Sequence, residues 1–157
     1  MDSIEFRRIL GHWATGVSVV GARGPGGTLF GLTANAVCSV SLAPPLVLAC
    51  VESGPASHDA IAAARAFSVN VLDESHEALA RRFAADDISA KFDGVAYRSE
   101  VTGAPVFEGA LAWLDCRVWP EYPAGDHTIY VGEVLAGNAR EDAPLLYYRG
   151  GYGPVTP

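Results

Sequence analysis

The side chains with chemistry to offer are few and scattered. GDHTIYVGEV, residues 125–134, sets His127 behind Gly125 and Asp126 and then runs into an alternating apolar segment. An imidazole placed there either bonds Asp126 as a strand-start cap or stands at the edge of a site as a polar contact for a ligand. A second feature is a missing one. From Gly24 to Val51 no side chain is charged, yet Pro44, Pro45 and the Thr, Asn and Ser residues exclude a membrane span. Alternation puts Thr33, Asn35, Val37, Ser39 and Ser41 on one face and Ala34, Ala36, Cys38, Val40 and Leu42 on the other. The second face is expected in the core. The first carries only short uncharged hydrogen-bonding groups, where a solvated strand would show Lys, Glu or Arg. Either a flat polar ligand approaches the backbone there, or a loop or second subunit covers the sheet.

Two further places suit an anion. Ser57 is expected to cap a helix, whose free N–H groups and dipole favour a phosphate, although Asp59 already supplies negative charge to that turn. Lys91, beside Phe92, could hold a phosphate or lay its stem over the core. Cys38, Cys50 and Cys116 are odd in number, lie among apolar neighbours and form no CxxC pair, so small buried residues are expected and a disulfide framework is not. The four histidines lack metal-site spacing, and no metal is expected. No GxSxG, Walker A or Ser/Lys constellation occurs, and the glycines from Gly21 to Gly31 do not fit GxGxxG, which removes hydrolase, phosphotransferase and Rossmann readings. A net charge of −7 and a pI near 4.9 argue against nucleic acid as a partner.

Positioning these residues falls mainly to strands. The 157 residues, 50% apolar and 18% charged, suit one domain over residues 1–157. Ser3 is expected to cap a first helix through about His12, with Ile4, Ile9 and Trp13 near one face. Strands are expected in GVSVVGA, TLFGLTANAVCSVSL (with a bend), LVLACV, FSVNVL, ALAWLDCRVW and HTIYVGEVLAG, with helices after Ser57 and over residues 75–84. Many strands and few helices favour a closed or nearly closed antiparallel barrel. Met1 to Trp13 does not read as a signal peptide, so a cytoplasmic protein with no membrane association is expected.

Taken together, FRRILGHWATGVSVVGA, GLTANAVCSVSLAPPLVLACV, FSVNVL, FA followed by KF, and GDHTIYVGEV resemble the short-chain flavin reductases, the small reductase components of two-component flavin monooxygenases. The resemblance runs from Phe6 to Tyr152. TANA with SVS, and GDH with GEV, are its specific parts, while the loops SGPAS and AADDISA depart from the family. It implies an FMN-binding split β-barrel, a homodimer, and reduction of FMN or FAD by NADH or NADPH. By the same resemblance, Thr33, Ala34, Asn35, Ala36, Ser39 and Val40 contact the isoalloxazine and ribityl parts. Cys50 and the loop to Ser57 match the ribityl and phosphate side, and Phe83, Lys91 and Phe92 line the rest of the pocket. His127 and Tyr152 border the nicotinamide. The reading is an NAD(P)H:flavin oxidoreductase that passes reduced flavin by diffusion to a separate flavin-dependent monooxygenase. The alternatives are a split-barrel flavoprotein that keeps FMN bound and acts on an organic substrate, and a non-catalytic flavin-binding module.

Overall fold

A computed structural model of the chain describes residues 1–54, 56–87 and 90–153. The strands are β1 (Thr15–Gly16), β2 (Ser18–Arg23), β3 (Leu29–Ala34), β4 (Val37–Leu42), β5 (Pro45–Glu52), β6 (Ala66–Val71), β7 (Tyr97–Ser99), β8 (Pro105–Phe107), β9 (Ala112–Ala124), β10 (His127–Ala139), β11 (Leu146–Tyr148) and β12 (Gly151–Gly153). Three α-helices accompany them: α1 (Ser3–Leu10), α2 (Ala56–Ala64) and α3 (Glu77–Ala84). Seven strands form one antiparallel sheet in the order β3-β2-β6-β9-β10-β5-β4. Its two ends return toward each other at the bend between β3 and β4, where the Cys50 N–H donates to the Ala36 carbonyl at 3.0 Å. Curling of one sheet around a single core, without full closure, is the nearly closed antiparallel barrel expected from the strand pattern and the split β-barrel that the resemblance implies.

Alternation explains the core. Val20, Ala22, Val47, Ala49, Val51, Phe67, Val69, Cys116 and Tyr130 all point inward from their strands and pack as one cluster, with Ile61 of α2 closing one end. Burying a side chain such as Phe67 stabilises the fold by about 1.5–3 kcal/mol. A second cluster, including Val17, Leu72, Phe83, Phe107 and Leu145, lies under α3. Buried polar groups tie the short β7–β8 pair to the barrel: Asn70 donates to the carbonyls of Val19 and Pro105 and accepts from the Phe107 N–H, and Ser68 donates to Pro105 O at 2.5 Å. Asp115, fully buried on β9, accepts from the backbone and hydroxyl of Thr102. Leaving any of these groups unsatisfied costs about 1–3 kcal/mol.

Several expectations from the sequence are corrected. Ala36, Cys38, Val40 and Leu42 are exposed, Leu42 to 95%, so the face opposite Thr33 is core only as far as Ala34. β4 is an edge strand paired on one side, and the bend at Asn35–Ala36 and the irregularity between Ser39 and Ser41 break the alternation. Ser57 lies inside α2 as its second residue and is not its cap. The first helix is capped by Asp2, which accepts from the Glu5 N–H at 2.8 Å, and it buries none of its residues, leaving Ile4, Phe6, Ile9 and Leu10 exposed. Residues 74–76 form a separate 3-10 turn, capped by Asp73 through the Ser75 N–H, before α3 begins.

Candidate functional site

The helices meet the barrel where β3 and β5 end, and the gap between them is a cleft of about 470 Å³. Thr33 comes from β3, Val51 and Glu52 from β5, Ser57 from the first turn of α2, Phe83 and Ala84 from α3, and Lys91 from the loop that follows. Thr33 and Ala84 also line an adjoining cleft of about 180 Å³, completed by Val17, Asn35, Tyr147 and Tyr152. Trough and cleft together form an elongated depression with an α-helix N-terminus at one end and two tyrosines at the other.

Its floor depends on one close approach. A Cβ on Gly31 would sit 2.6 Å from the Phe83 ring, so only glycine lets α3 lie this near to β3. Phe83 is then fixed by the edge of Phe92 at a centroid distance of 5.0 Å and by Phe107 at 5.4 Å. Phe92 supports the cleft from behind and does not line it. Thr33 anchors the same helix by donating to Ala80 O at 2.6 Å, which commits the hydroxyl that alternation had offered to a ligand.

Lys91 is only 6% exposed, and its Nζ donates to Phe83 O at 3.0 Å and Gly31 O at 3.4 Å. Burial lowers its pKa, against the opposing pull of Asp86 and Asp87. Of the two readings open from sequence, the stem over the core describes its position, and the ammonium additionally staples α3 to β3. Ala56 and the buried Ser57 line the cleft from the first turn of α2, and a helix N-terminus is a favourable place for a phosphate.

His127 opens β10 immediately after a tight turn whose Gly125 has φ +68°, a value only glycine adopts without strain. Its Nδ1 lies 2.6 Å from Asp126 Oδ1, and this hydrogen bond, more than any other interaction, holds the Asp126 carboxyl below its usual range. Across the ladder His127 pairs with Glu52, which lines the 470 Å³ cleft, but His127 itself lines neither that cleft nor its neighbour, and its side chain is 43% exposed. Tyr152 packs against Tyr147 at 5.2 Å and carries the Arg81 guanidinium over its ring at 4.9 Å. Burial raises its pKa.

Thr33, Ser57, Phe83 and Lys91 therefore converge on one cleft, and Thr33, Asn35 and Tyr152 on its neighbour. Ala34, Asn35, Ala36 and Cys50 line a third, apolar hollow of about 740 Å³ beneath α1. Ser39 and Val40 line none of these and lie exposed on β4. All three cysteines are free, with Cys38 exposed where burial was expected. Burial raises the pKa of Cys50 and pushes that of Cys116 up to about 12, so neither is a ready thiolate. Sequence reading missed Glu52, Ala84 and Tyr147. Ala84 stands in the quoted pair FA but carries no functional group to draw notice.

The chain is similar to known flavin reductases in sequence and in fold. The family model described as flavin reductase like domain matches residues 10–156. A flavin reductase of Pseudomonas putida is 42% identical over 154 residues, covering 98% of this chain and 90% of the relative. The reductase component of a 4-nitrophenol 4-monooxygenase/4-nitrocatechol 2-monooxygenase from Rhodococcus opacus is 40% identical, covering 100% of this chain and 83% of the relative. The NADH:FAD oxidoreductase of Streptomyces globisporus C-1027, solved in complex with NAD and FAD fragments, superposes with a TM-score of 0.90 at 39% identity, over 99% of this chain and 94% of that one. Among the described residues no helix is long and apolar enough to cross a membrane. The chain belongs to the flavin reductase family.

Proposed function

We propose that the protein is a single-domain, cytoplasmic NAD(P)H:flavin oxidoreductase that supplies reduced FMN or FAD to a separate flavin-dependent monooxygenase. The observation that carries this reading is the paired cleft from Ser57 to Tyr152, set in a chain that matches flavin reductases from residue 10 to residue 156. A flat ring system fits a trough lined by Phe83, which Phe92 and Phe107 hold in place, and the α2 N-terminus suits the ribityl phosphate. Thr33 and Asn35 border the ring and ribityl chain, Phe83 and Ala84 bound it on the helix side, Lys91 and Phe92 keep that side in place, and Ala34, Ala36 and Cys50 lie in the adjoining hollow that Asn35 shares.

The flavin, when bound, accepts a hydride from the nicotinamide and a proton from solvent, giving reduced flavin and NAD(P)⁺. The chain's own task is alignment and water exclusion. No nucleophile or general-base pair is required, and none of the cleft residues forms one. Steady-state rates for both flavins against both nicotinamides, followed by loss of nicotinamide absorbance, test the reading. Turnover with freely exchanging flavin is expected. A yellow protein that keeps its flavin through dialysis and reduces no added flavin would favour a bound-FMN flavoprotein, and flavin binding without nicotinamide oxidation a non-catalytic module.

The functional unit is a homodimer. Phe6, Leu10 and Trp13, the last 74% exposed, surround the 740 Å³ hollow, and Val40 and Leu42 project from the edge strand beside it. A continuous apolar surface of this kind is stable in water when a second copy covers it. That copy would also bring Ser39 and Val40, idle in one chain, against a flavin. Light scattering at low micromolar concentration is expected to give twice the chain mass. A monomer with full reductase activity would contradict this.

A further inference from the structure

α1 has two faces with different company. Phe6 looks into the apolar hollow, Ile4, Arg7, Arg8 and Gly11 border a cleft of about 540 Å³ that Tyr147 and Arg149 line as well, and Leu10 and Trp13 lie between the two. Asn35 and Tyr147 line both this cleft and the one holding Tyr152, so the two adjoin. The path from Ser57 to Tyr152 thus continues under α1.

The cations along it are unusual for this chain. Of its 11 lysines and arginines, Arg8 is held by both carboxylate oxygens of Glu5, Arg65 by Glu121, Arg81 by Glu77, Arg98 by Glu100, Arg117 by Glu133 and Arg140 by Asp73 and Asp142. Arg23, Arg82 and Lys91 donate to backbone carbonyls. Arg7 and Arg149 alone make no side-chain hydrogen bond or ion pair among the described residues, and both line the same cleft. In a protein of net charge −7, two arginines from opposite ends of the sequence, neither hydrogen-bonded to a carboxylate among the described residues, line this one cleft and make it a favourable place for an anion. Their placement is fixed by backbone: the Arg149 N–H donates to Gly11 O at 2.9 Å, which pins the β11–β12 turn to the end of α1. Arg7 also lies within electrostatic reach of Asp126, the residue that holds His127.

We propose that Arg7 and Arg149 hold the diphosphate of the reduced pyridine dinucleotide, whose nicotinamide then extends over the flavin trough. This rests on the reductase reading given above. Planar guanidinium groups match phosphate oxygens in paired hydrogen bonds, and a dinucleotide diphosphate carries two negative charges for the two cations. The flavin phosphate lies at the far end of the path, by Ser57, so the two anionic groups do not compete.

The test uses Arg7→Ala, Arg149→Asn and the double variant in the full chain. Asn suits position 149, whose φ of +50° is left-handed. KM for NADH is expected to rise about tenfold in each single variant and further in the double, while KM for FMN stays within twofold. Titration calorimetry with inorganic pyrophosphate is expected to show binding to the wild type, competitive with NADH, and none to the double variant. Unchanged KM for NADH in both single variants would overturn the proposal. So would a rise in KM for FAD with those for NADH and FMN unchanged, which would give the subsite to the flavin. A wild type that binds pyrophosphate but oxidises no nicotinamide would refute the reductase reading and leave the anion site standing.

Discussion

Ala84→Trp is expected to raise the dissociation constant for FMN by thirtyfold or more, about 2 kcal/mol, while the protein stays folded. Ala84 is the last residue of α3, exposed, and lines both the 470 Å³ and the 180 Å³ clefts. An indole there projects between Thr33 and Tyr152 and fills the space where the ring system has to lie flat. Because the side chain meets no packed core, the stability cost stays near that of an exposed helix-end substitution, within about 0.5 kcal/mol. Fluorescence titration with FMN measures the effect, and the melting temperature serves as the control for folding. Wild-type affinity in a folded Ala84→Trp protein would move the flavin out of this trough.

The barrel was legible in the sequence because its central strands show either a continuous buried run or a period of two. Ser18–Arg23 and Ala66–Val71 bury every residue but the last of each strand, and His127–Val134 alternates between half-buried and buried as far as Glu133. β4 was misread because alternation reports a pleat and does not reveal whether a strand has one neighbour or two; that is decided by the return of the sheet's end near Cys50. The segment from Gly24 to Val51 stood out through its lack of charge, yet the role of each hydroxyl was hidden. Thr33 turns to Ala80, a contact between segments far apart in sequence. Arg7 and Arg149 are equally invisible before folding, since nothing local distinguishes an arginine with a partner from one without. Lys91 illustrates the same limit: its neighbour Phe92 suggested a lining residue, but what fixes it is a pair of carbonyls on α3 and β3.

Replacing His127 with alanine is expected to leave flavin affinity nearly intact and to lower kcat/KM for NADH by about ten- to hundredfold, or 1.4 to 2.7 kcal/mol of transition-state stabilisation. The geometry supplies the reason. An ionised Asp126 can only accept, so the 2.6 Å contact makes Nδ1 the donor and leaves the Nε2 of a neutral ring with a free lone pair. The Gly125 turn and the pairing with Glu52, a residue of the cleft lining, fix the start of β10, and a nicotinamide carboxamide N–H brought to that nitrogen would donate a hydrogen bond to it. Hydride transfer needs no proton from it, so the loss is one of alignment and is expected mainly in kcat/KM, with little change in the pH dependence of kcat. His127→Gln keeps an acceptor at a similar reach and should recover part of the loss. Wild-type kinetics in His127→Ala would reduce the histidine to a strand cap bonded to its neighbour, and loss of FMN binding together with activity would place it against the flavin.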